Sequence, residues 1–270
     1  MGIMSFNRLG LMGRLGNMMF QYASTLGAAK ATGKLAVANI SCQPSFKNNF
    51  KLDHVGDTMI YNVDQEIQES TWGFNFNPEV LKTDKNMNID LAGYFQSPKY
   101  FEHCSRAVRN DFTFSEEIRE KAAKKIPSDV CVSVHVRRGD YTKVPDIHTL
   151  QPKEYYMEGL KHFEGHIPVF FSDDAEWVKN EFSDVKNAVF ISNEPTVSTD
   201  TTTWSDESAY VDMCAMSFCN GHIIANSSFS WWSAYLSEAK TVAPKQWFGA
   251  GSHYGESGWQ TVYCDDWILL

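Results

Sequence analysis

The residue types best suited to chemistry occur in VCVSVHVRRGDY, residues Val130 to Tyr141. Its first seven residues alternate β-branched and small side chains, which is typical of a buried parallel strand, and two arginines follow. Ligands of open α/β sheets bind outside the carboxyl ends of the strands, so Arg137 and Arg138 lie where an anion would dock. Alternate residues share a face of a strand. We therefore expect Arg137 to share a face with His135, and only one arginine to meet the ligand.

The same stretch also has a structural interpretation. Arg138 and Asp140 are spaced so that an ion pair between them would fix the turn after the strand. His135 lies inside the predicted strand, where we expect a buried histidine whose hydrogen bonds are satisfied and whose main chain faces the ligand.

Two other stretches place small residues between a strand and a helix. In GLMGRLGNMMFQYA, glycines at positions 10, 13 and 16 surround Arg14, and in IIANSSFSWWSAYL the residues Asn226, Ser227 and Ser228 precede a helical pattern. Main-chain N–H groups at a helix start bind anions, but taken alone the first stretch is better explained by a plain tight turn and the second by a serine N-cap. Together with the arginine pair, they favour a diphosphate ligand.

Three carboxylates have two interpretations each. Asp173 and Asp174 end a predicted strand, where they are either a divalent cation site or the N-cap and first turn of the next helix. Asp212 lies in the middle of an apolar helical stretch, where a carboxylate needs a partner; it either accepts hydrogen bonds from a guanine edge or faces solvent.

The helical pattern that precedes Ile126–Asp129 is broken at these residues, so we place a domain boundary between residues 127 and 128. Beyond it, strand and helix signals alternate, which predicts a parallel, doubly wound sheet. The predicted strands there are 130–136, 167–171, 188–191, 222–225 and 241–243, and the predicted helices are 152–163, 174–182, 206–218 and 229–238. Before the boundary we predict strands at 3–9, 35–39 and 88–95, a helix from about residue 17 to Gly33, short helices at 98–104 and 115–125, and a loop-rich stretch over 41–73.

Composition narrows the class of protein. The 270 residues carry a formal charge of −9, which argues against nucleic acid as a partner. No basic leader with a long apolar run and no apolar stretch of about 20 residues is present, so we expect no membrane span. The six cysteines show no CxxC pair and no metal-ligand spacing, which predicts reduced, buried thiols in a cytoplasmic protein.

Taken together, GRLGNMMFQYA, VHVRRGDY and FSWWSAYL resemble the α-1,2-fucosyltransferases, glycosyltransferase family 11, and more distantly the α-1,6- and protein O-fucosyltransferases. The resemblance runs from Gly10 to about Leu236. It implies an α/β GT-B fold, with two Rossmann-like domains facing each other across a cleft. Residues 1–127 would form the acceptor-side domain, and residues 128–270 the domain that binds GDP-fucose.

The resemblance also implies roles for individual residues. Arg137 would hold the β-phosphate, the His135 main chain would meet the guanine, and Asp212 would read the guanine edge. The helix-start loop would surround the diphosphate, and the N-terminal loop would close over the fucose; Asn226-Ser227-Ser228 departs from the Gly-Thr pair of animal members. The predicted catalytic residues are Arg137 and Asp140, and the predicted donor-binding residues are Arg14, Gly16, Asn17, His135, Arg138, Asp212, Asn226, Ser227, Ser228 and Phe229.

The expected activity is inverting transfer of L-fucose from GDP-fucose to the 2-hydroxyl of a terminal galactoside in an oligosaccharide, with no cofactor and no metal. A fixed cation at the departing diphosphate helps most when the bond is nearly broken, and a guanidinium suits that role. The general base stays open among Asp140, Asp146 and His148. Two alternatives also remain, a fucosyltransferase of another linkage and a non-catalytic nucleotide- or glycan-binding module.

Overall fold

The computed structural model describes residues 1–69, 75–127, 130–191, 207–252 and 258–270, and the chain divides into two compact units. The first comprises Met1–Ser115 with Ser257–Cys264, and the second Glu116–Glu256 with Asp265–Leu270. This division differs from the predicted boundary in two ways: the segment after Ser115 belongs to the second unit, and a C-terminal segment returns to the first. Residue 128, the predicted start of the second domain, lies outside the described residues.

The first unit contains a five-stranded, all-parallel sheet with the order β3-β2-β1-β5-β4. Its strands are β1 (Ile3–Phe6), β2 (Leu35–Ala38), β3 (Gly56–Asp57), β4 (Gln65–Gln68) and β5 (Ile89–Ala92), and its helices are α1 (Leu15–Thr32), α2 (Pro44–Asn49) and α3 (Ser105–Asp111). Helix α1 is buried along most of its length and ends, as predicted, at Gly33, whose φ of 66° is the left-handed conformation of a glycine C-cap.

The second unit contains a six-stranded, all-parallel sheet with the order β11-β10-β9-β6-β7-β8. Its strands are β6 (Cys131–Val136), β7 (Ile167–Ser172), β8 (Val189–Ile191), β9 (Gly221–Ile223), β10 (Lys240–Ala243) and β11 (Ile268–Leu269), and its helices are α4 (Glu116–Ala123), α5 (Lys153–Leu160), α6 (Ala175–Glu181), α7 (Glu207–Ser217) and α8 (Ser228–Ser237). The predicted α/β fold and the alternation of strands and helices in this half are confirmed. Asp206, the predicted first residue of α7, lies outside the described residues.

The prediction missed elements that are short or polar. Helices α2 and α3 and strands β3, β4 and β11 were not predicted, and 98–104 forms two separate 3₁₀ turns instead of a helix. Strand β4 has the sequence QEIQ and lies mostly exposed at the sheet edge, so it carries no hydrophobic alternation to detect. Strands β3 and β11 have two residues each, too few for any periodicity.

Strand β6 is buried over its whole length, with valines on one face and polar side chains on the other. Val132, Val134 and Val136 belong to the apolar cluster that includes residues of α5 and α6. The intervening residues are polar: Ser133 Oγ lies 2.7 Å from His222 Nδ1, and His135 packs against the Phe229 ring. The two residues that follow the strand therefore leave it on different faces.

None of the helices within the described ranges is long and apolar enough to cross a bilayer. None of the six cysteines forms a disulfide. Cys42 is exposed and Cys104 and Cys264 are half-buried, so the prediction of six buried thiols is correct only for Cys131, Cys214 and Cys219.

Candidate functional site

The carboxyl edge of the second sheet brings three of the singled-out stretches together. Strand β6 lies between β9 and β7, so the arginine pair that follows it is flanked by the loops that follow those two strands. One neighbouring loop carries Asp173 and Asp174, and the other carries Asn226 and Ser227. The sheet thus combines two cations, two acidic groups and a helix start at one edge.

Arg137 is the cation on the His135 face, and two carboxylates hold it. Its Nη1 lies 2.7 Å from Asp173 Oδ2, and its Nη2 lies 2.5 Å from Asp140 Oδ1. The guanidinium carbon is 5.3 Å from the centre of the Tyr141 ring, and the side chain is 17% exposed. An anionic ligand would therefore compete with these two carboxylates for the guanidinium, which has five N–H donors. The proposed structural pair of Asp140 with Arg138 is wrong, because Asp140 pairs with Arg137.

Arg138 turns to the other face, as the alternation of the strand predicted. Its Nε lies 3.0 Å from Asp174 Oδ2, and its guanidinium carbon is 3.5 Å from the centre of the Trp177 ring in α6. Stacking and ion pairing fix this guanidinium against α6, so the geometry favours Arg137 as the arginine that meets a ligand.

Asp173 contacts both arginines, a role that sequence reasoning did not assign to it. Its Oδ1 accepts the main-chain N–H of Arg138 at 2.9 Å, while Oδ2 pairs with Arg137. A Cβ at Gly139 would lie only 2.3 Å from Asp173 Oδ2, so the turn needs glycine there. The sequence did contain a signal for this contact: an acidic residue follows one predicted strand, and RRGD follows another strand of the same sheet.

Asp174 is the N-cap of α6, and its side chain accepts from the Trp177 N–H at 3.4 Å. The N-cap interpretation of this pair is therefore confirmed for Asp174. Within the described residues, no group of three or more His, Cys, Asp or Glu side chains is arranged to hold a metal ion.

The start of α8 forms the other side of this edge. Ser227 is its N-cap, with the side-chain oxygen accepting from the Phe229 N–H at 3.4 Å, and Ser228 is the first helical residue. The buried Asn226 side chain donates to Trp247 O at 2.8 Å and accepts from Gln151 Nε2 at 3.2 Å. The Asn226 amide therefore fixes the loop, and the two serines form the N-terminus of α8.

His135 is only 5% exposed, and burial, reinforced by the charge of Arg137, lowers its pKa to about 3. The imidazole is therefore neutral near pH 7. The prediction of a buried histidine is correct, but that of satisfied hydrogen bonds is wrong, because Nδ1 has no partner among the described residues.

The candidate bases lie in the loop that follows β6. Asp140 pairs with Arg137, whereas His148 stacks on the Tyr141 ring at 4.3 Å with an interplanar angle of 11°. Burial lowers the pKa of His148, against the opposing effect of Asp140. Asp146 is exposed, and its main-chain oxygen accepts the Gly251 N–H at 2.8 Å. Of the three, Asp140 is the one in contact with Arg137.

Asp212 lies on α7 with 8% of its surface exposed, and its Oδ1 is 2.6 Å from Lys125 Nζ. The alternative in which it faces solvent is therefore wrong. The burial and the cationic partner together meet the requirement that a carboxylate in an apolar helix be paired. Recognition of guanine by Asp212 stays a prediction.

The glycine-rich loop of the first unit is fixed by neutral hydrogen bonds. Gly10 and Gly13 have φ values of 75° and 80°, which favour glycine. Buried Gln21 accepts the Gly10 N–H at 3.0 Å and donates to Met12 O and Gly93 O, each at 3.2 Å. Gln21 was also missed, although it lies within the motif, because an apolar helix gave no reason to single out one amide.

The predicted residues of this loop lie at the start of α1. Arg14 is its N-cap residue, without a side-chain capping bond, and Gly16 is buried in the first turn. Asn17 Oδ1 accepts from Gln96 Nε2 at 2.8 Å. The loop and the start of the helix are thus joined to the segment after β5.

Comparison with known proteins gives one family across almost the whole chain. The sequence profile of Glycosyl transferase family 11 matches residues 3–270. An Escherichia coli protein named alpha-1,2-colitosyltransferase is 30% identical over 88% of this chain and 91% of its own length. The bovine galactoside alpha-(1,2)-fucosyltransferase 1 is 24% identical over 85% of this chain, which spans 66% of that relative.

Solved structures show the same fold at low identity. The NodZ fucosyltransferase from Bradyrhizobium has a TM-score of 0.57 and 15% identity, covering 86% of this chain and 91% of its own. POFUT1 in complex with GDP has a TM-score of 0.51 and 13% identity, covering 88% and 95%. The GT-B fold predicted from the resemblance is confirmed by these neighbours.

Proposed function

The chain belongs to glycosyl transferase family 11, and from that membership and the geometry around Arg137 we propose that it transfers L-fucose from GDP-fucose to the 2-hydroxyl of a terminal galactoside. The bovine relative carries this linkage in its name, and a NodZ structure is described as soaked with GDP-fucose. These names describe the relatives, and they indicate which donor and acceptor classes to test on this protein.

The observation that supports the proposal most is the setting of Arg137. It stands at the end of the central strand, beside the N-terminus of the ten-residue helix α8. As the glycosidic bond breaks, negative charge builds on the diphosphate, and a fixed guanidinium with helix N–H groups stabilises that charge. Because Arg137 already holds two carboxylates, the diphosphate would replace one of them. Asp140, released in this way, would be free to accept the proton of the acceptor hydroxyl.

His135 and Asp212 would bind the nucleoside. The main chain of His135 would meet the guanine, while its neutral ring adds no second positive charge beside Arg137. Asp212 would accept from the adjacent N1–H and 2-amino groups of guanine, with Lys125 holding its other side. Ser227, Ser228 and Phe229 would surround the diphosphate, and Arg14, Gly16 and Asn17 would serve the sugar. Neither a cofactor nor a metal ion is required in this scheme.

The colitosyltransferase relative favours a second candidate. Colitose is fucose without its 3-hydroxyl, so the two sugars differ by one hydrogen-bonding group. A site that hydrogen-bonds this hydroxyl discriminates strongly against the sugar that lacks it, by roughly 10⁴-fold or more when the site's polar groups are left unpaired. A site without such a contact accepts both sugars.

Release of GDP is the direct test, measured with GDP-fucose and GDP-colitose against a panel of β-galactosides and other sugars. We expect acceptor-dependent release with GDP-fucose and a β-galactoside, and a product that an α-1,2-specific fucosidase cleaves. Resistance of the product to that enzyme would indicate another linkage, and preference for GDP-colitose would favour the second candidate. Binding of GDP-fucose without release on any acceptor would indicate a binding module.

A further inference from the structure

Glu69, the residue after β4, is not part of any site predicted above. Its Oε2 accepts the Tyr94 N–H at 2.6 Å, and its Oε1 accepts the Phe95 N–H at 3.0 Å. One carboxylate thus holds two successive main-chain donors of the turn that follows β5. Each oxygen is used, so neither an amide nor a hydroxyl side chain could satisfy both donors in the same way.

The turn it holds has an unusual backbone. Phe95 has a φ of 52°, which is uncommon for any residue with a side chain, and Gly93 has a φ of 150°. A Cβ at Gly93 would lie 2.4 Å from Glu69 Cβ and 2.9 Å from Oε2. Glycine at 93 therefore admits the carboxylate, and the carboxylate in turn fixes a conformation that Phe95 would not keep alone.

The same turn supports the glycine-rich loop through three side chains of α1 and its start. Gly93 O accepts from Gln21, Phe95 O accepts from Ser24 Oγ at 3.1 Å, and Gln96 donates to Asn17. Gln21 then holds Gly10 and Met12. A continuous set of hydrogen bonds therefore runs from Glu69 to the GRLGN motif, entirely within the first unit.

We propose that Glu69 is a positioning residue: the two oxygens of its carboxyl group set the 93–96 turn, and through that turn the conformation of the Gly10–Asn17 loop. The loop conformation does not depend on what the protein transfers. Only the kinetic consequence rests on the proposed function, in which this loop serves the sugar.

The proposal has a pH dependence whose direction is fixed. Burial raises the pKa of Glu69 to about 7, against the two N–H groups that lower it. Tyr100 is the titratable neighbour coupled to it, and the pKa of that phenol is itself raised far above neutrality, so it stays protonated. Because the folded turn raises this pKa, it binds the proton more tightly than an opened turn does, so protonation below about pH 7 favours the closed turn. Ionisation above about pH 7 costs stability, which the hydrogen bonds from Tyr94 and Phe95 N–H offset in part.

Hydrogen exchange of main-chain amides tests the loop without using activity. We expect Glu69→Gln to lower the protection factors of amides in 8–17 and 93–97 by about tenfold or more at pH 8, with the central amides of α1 unchanged. Glu66→Gln is the matched control, since it removes a carboxylate from the same strand whose partner is the exposed Arg8. In the wild-type protein, protection of these amides at pH 6 should be no lower than at pH 8, because the raised pKa makes protonation favour the closed turn.

Kinetics then separate positioning from a purely structural role. A loop displaced by about 1 Å costs up to roughly 10²-fold, so we expect kcat/KM to fall by about ten- to a hundredfold in Glu69→Gln. Unchanged loop protection at pH 8 overturns the proposal, as does equal loss of protection throughout α1. If Glu69→Gln loses protection in the loop but the wild-type protein transfers no sugar, the positioning role of Glu69 stands and the proposed function is refuted. If Glu69→Gln does not fold, Glu69→Asp tests the same contact, because it keeps both carboxyl oxygens but withdraws them from Tyr94 and Phe95 N–H by one methylene.

Discussion

The glycine-rich loop and the RRGD turn have similar sequence contexts but are held in opposite ways. Gly10–Asn17 is fixed by glycine conformations and by neutral amide hydrogen bonds from Gln21 and Gln96. The RRGD turn is fixed by ion pairs. Asp173 and Asp140 pair with Arg137, and Asp174 pairs with Arg138. The first loop is held by hydrogen bonds between neutral groups, and the second by ion pairs with which an anionic ligand would compete.

The difference has a chemical consequence. Neutral, buried hydrogen bonds keep a conformation whether or not a ligand is present, because leaving them unmade costs about 1–3 kcal/mol each. Partly exposed ion pairs contribute much less, so a diphosphate can displace one at small cost. In the proposed function, the glycine-rich loop of the first unit would therefore keep a fixed shape, whereas Arg137 of the second unit would stay neutralised by its carboxylates until the diphosphate binds.

The largest expected effect comes from removing that cation. Arg137→Ala should lower turnover by roughly 10²–10³-fold, the range for loss of one preorganised charge-stabilising group, with little effect on folding. Arg137→Lys should restore only part, because an ammonium cannot bind phosphate in a bidentate way. Turnover numbers and thermal unfolding of both variants check this. Normal turnover by folded Arg137→Ala would make the arginine structural and remove the contrast between the loops.

Sequence reasoning predicted the strand, the charge and the face of each arginine, because these follow from the alternation of one buried strand. It did not predict which acidic residue pairs with which arginine. That depends on β7 lying beside β6 in the sheet, which brings Asp173 to Arg137 across 36 positions of sequence. Gln21 and Glu69 were missed for a related reason. Their partners are main-chain atoms of turns, and turns leave no periodic signal.

Removing Gln21 should give the largest change in stability. Gln21→Met keeps the volume but leaves Gly10 N–H, Met12 O and Gly93 O without their partner. We expect the free energy of unfolding to fall by about 3 kcal/mol, since unmet buried groups cost about 1–3 kcal/mol each and some regain water. Chemical denaturation measures this, with Gln68→Met on the exposed edge strand as the control. A change below 0.5 kcal/mol would show that the loop does not depend on the amide.

Substitution of Asp212 tests whether the second unit, like the first, depends on a buried polar side chain. Asp212→Asn should weaken GDP binding by about 1.5–3 kcal/mol, the cost of a lost charge-assisted hydrogen bond, and reduce the preference for GDP over ADP and UDP. Lys125→Gln is the control, because it removes the partner of Asp212 and leaves the carboxylate. Calorimetry distinguishes the outcomes. If both variants lose stability and neither loses GDP affinity, Asp212 is only an ion-pair partner.

Asp173→Asn should affect affinity in the opposite direction. The asparagine can still accept the Arg138 N–H, but it removes one negative charge from Arg137. We expect GDP to bind several-fold more tightly, equivalent to about 1 kcal/mol, the upper end for a partly exposed pair. Asp174→Asn is the matched control, since its partner is Arg138, and should leave GDP affinity unchanged. Weaker GDP binding in Asp173→Asn would mean that the carboxylate orients Arg137 instead of competing with the ligand.

The smallest expected effect is that of chelation. Asp173 and Asp174 are committed to the two arginines, and Asp174 also caps α6, so a cation there would have to break ion pairs and a cap together. In the proposed function, the charge of the diphosphate would be met instead by Arg137 and the N-terminus of α8, so we expect EDTA to leave the rate of GDP release unchanged. The assay should be repeated with Arg137→Ala and added magnesium or manganese. Loss of wild-type activity on chelation, restored by either ion, would show that the carboxylates leave their arginines for a metal and that the ion pairs are a resting arrangement only.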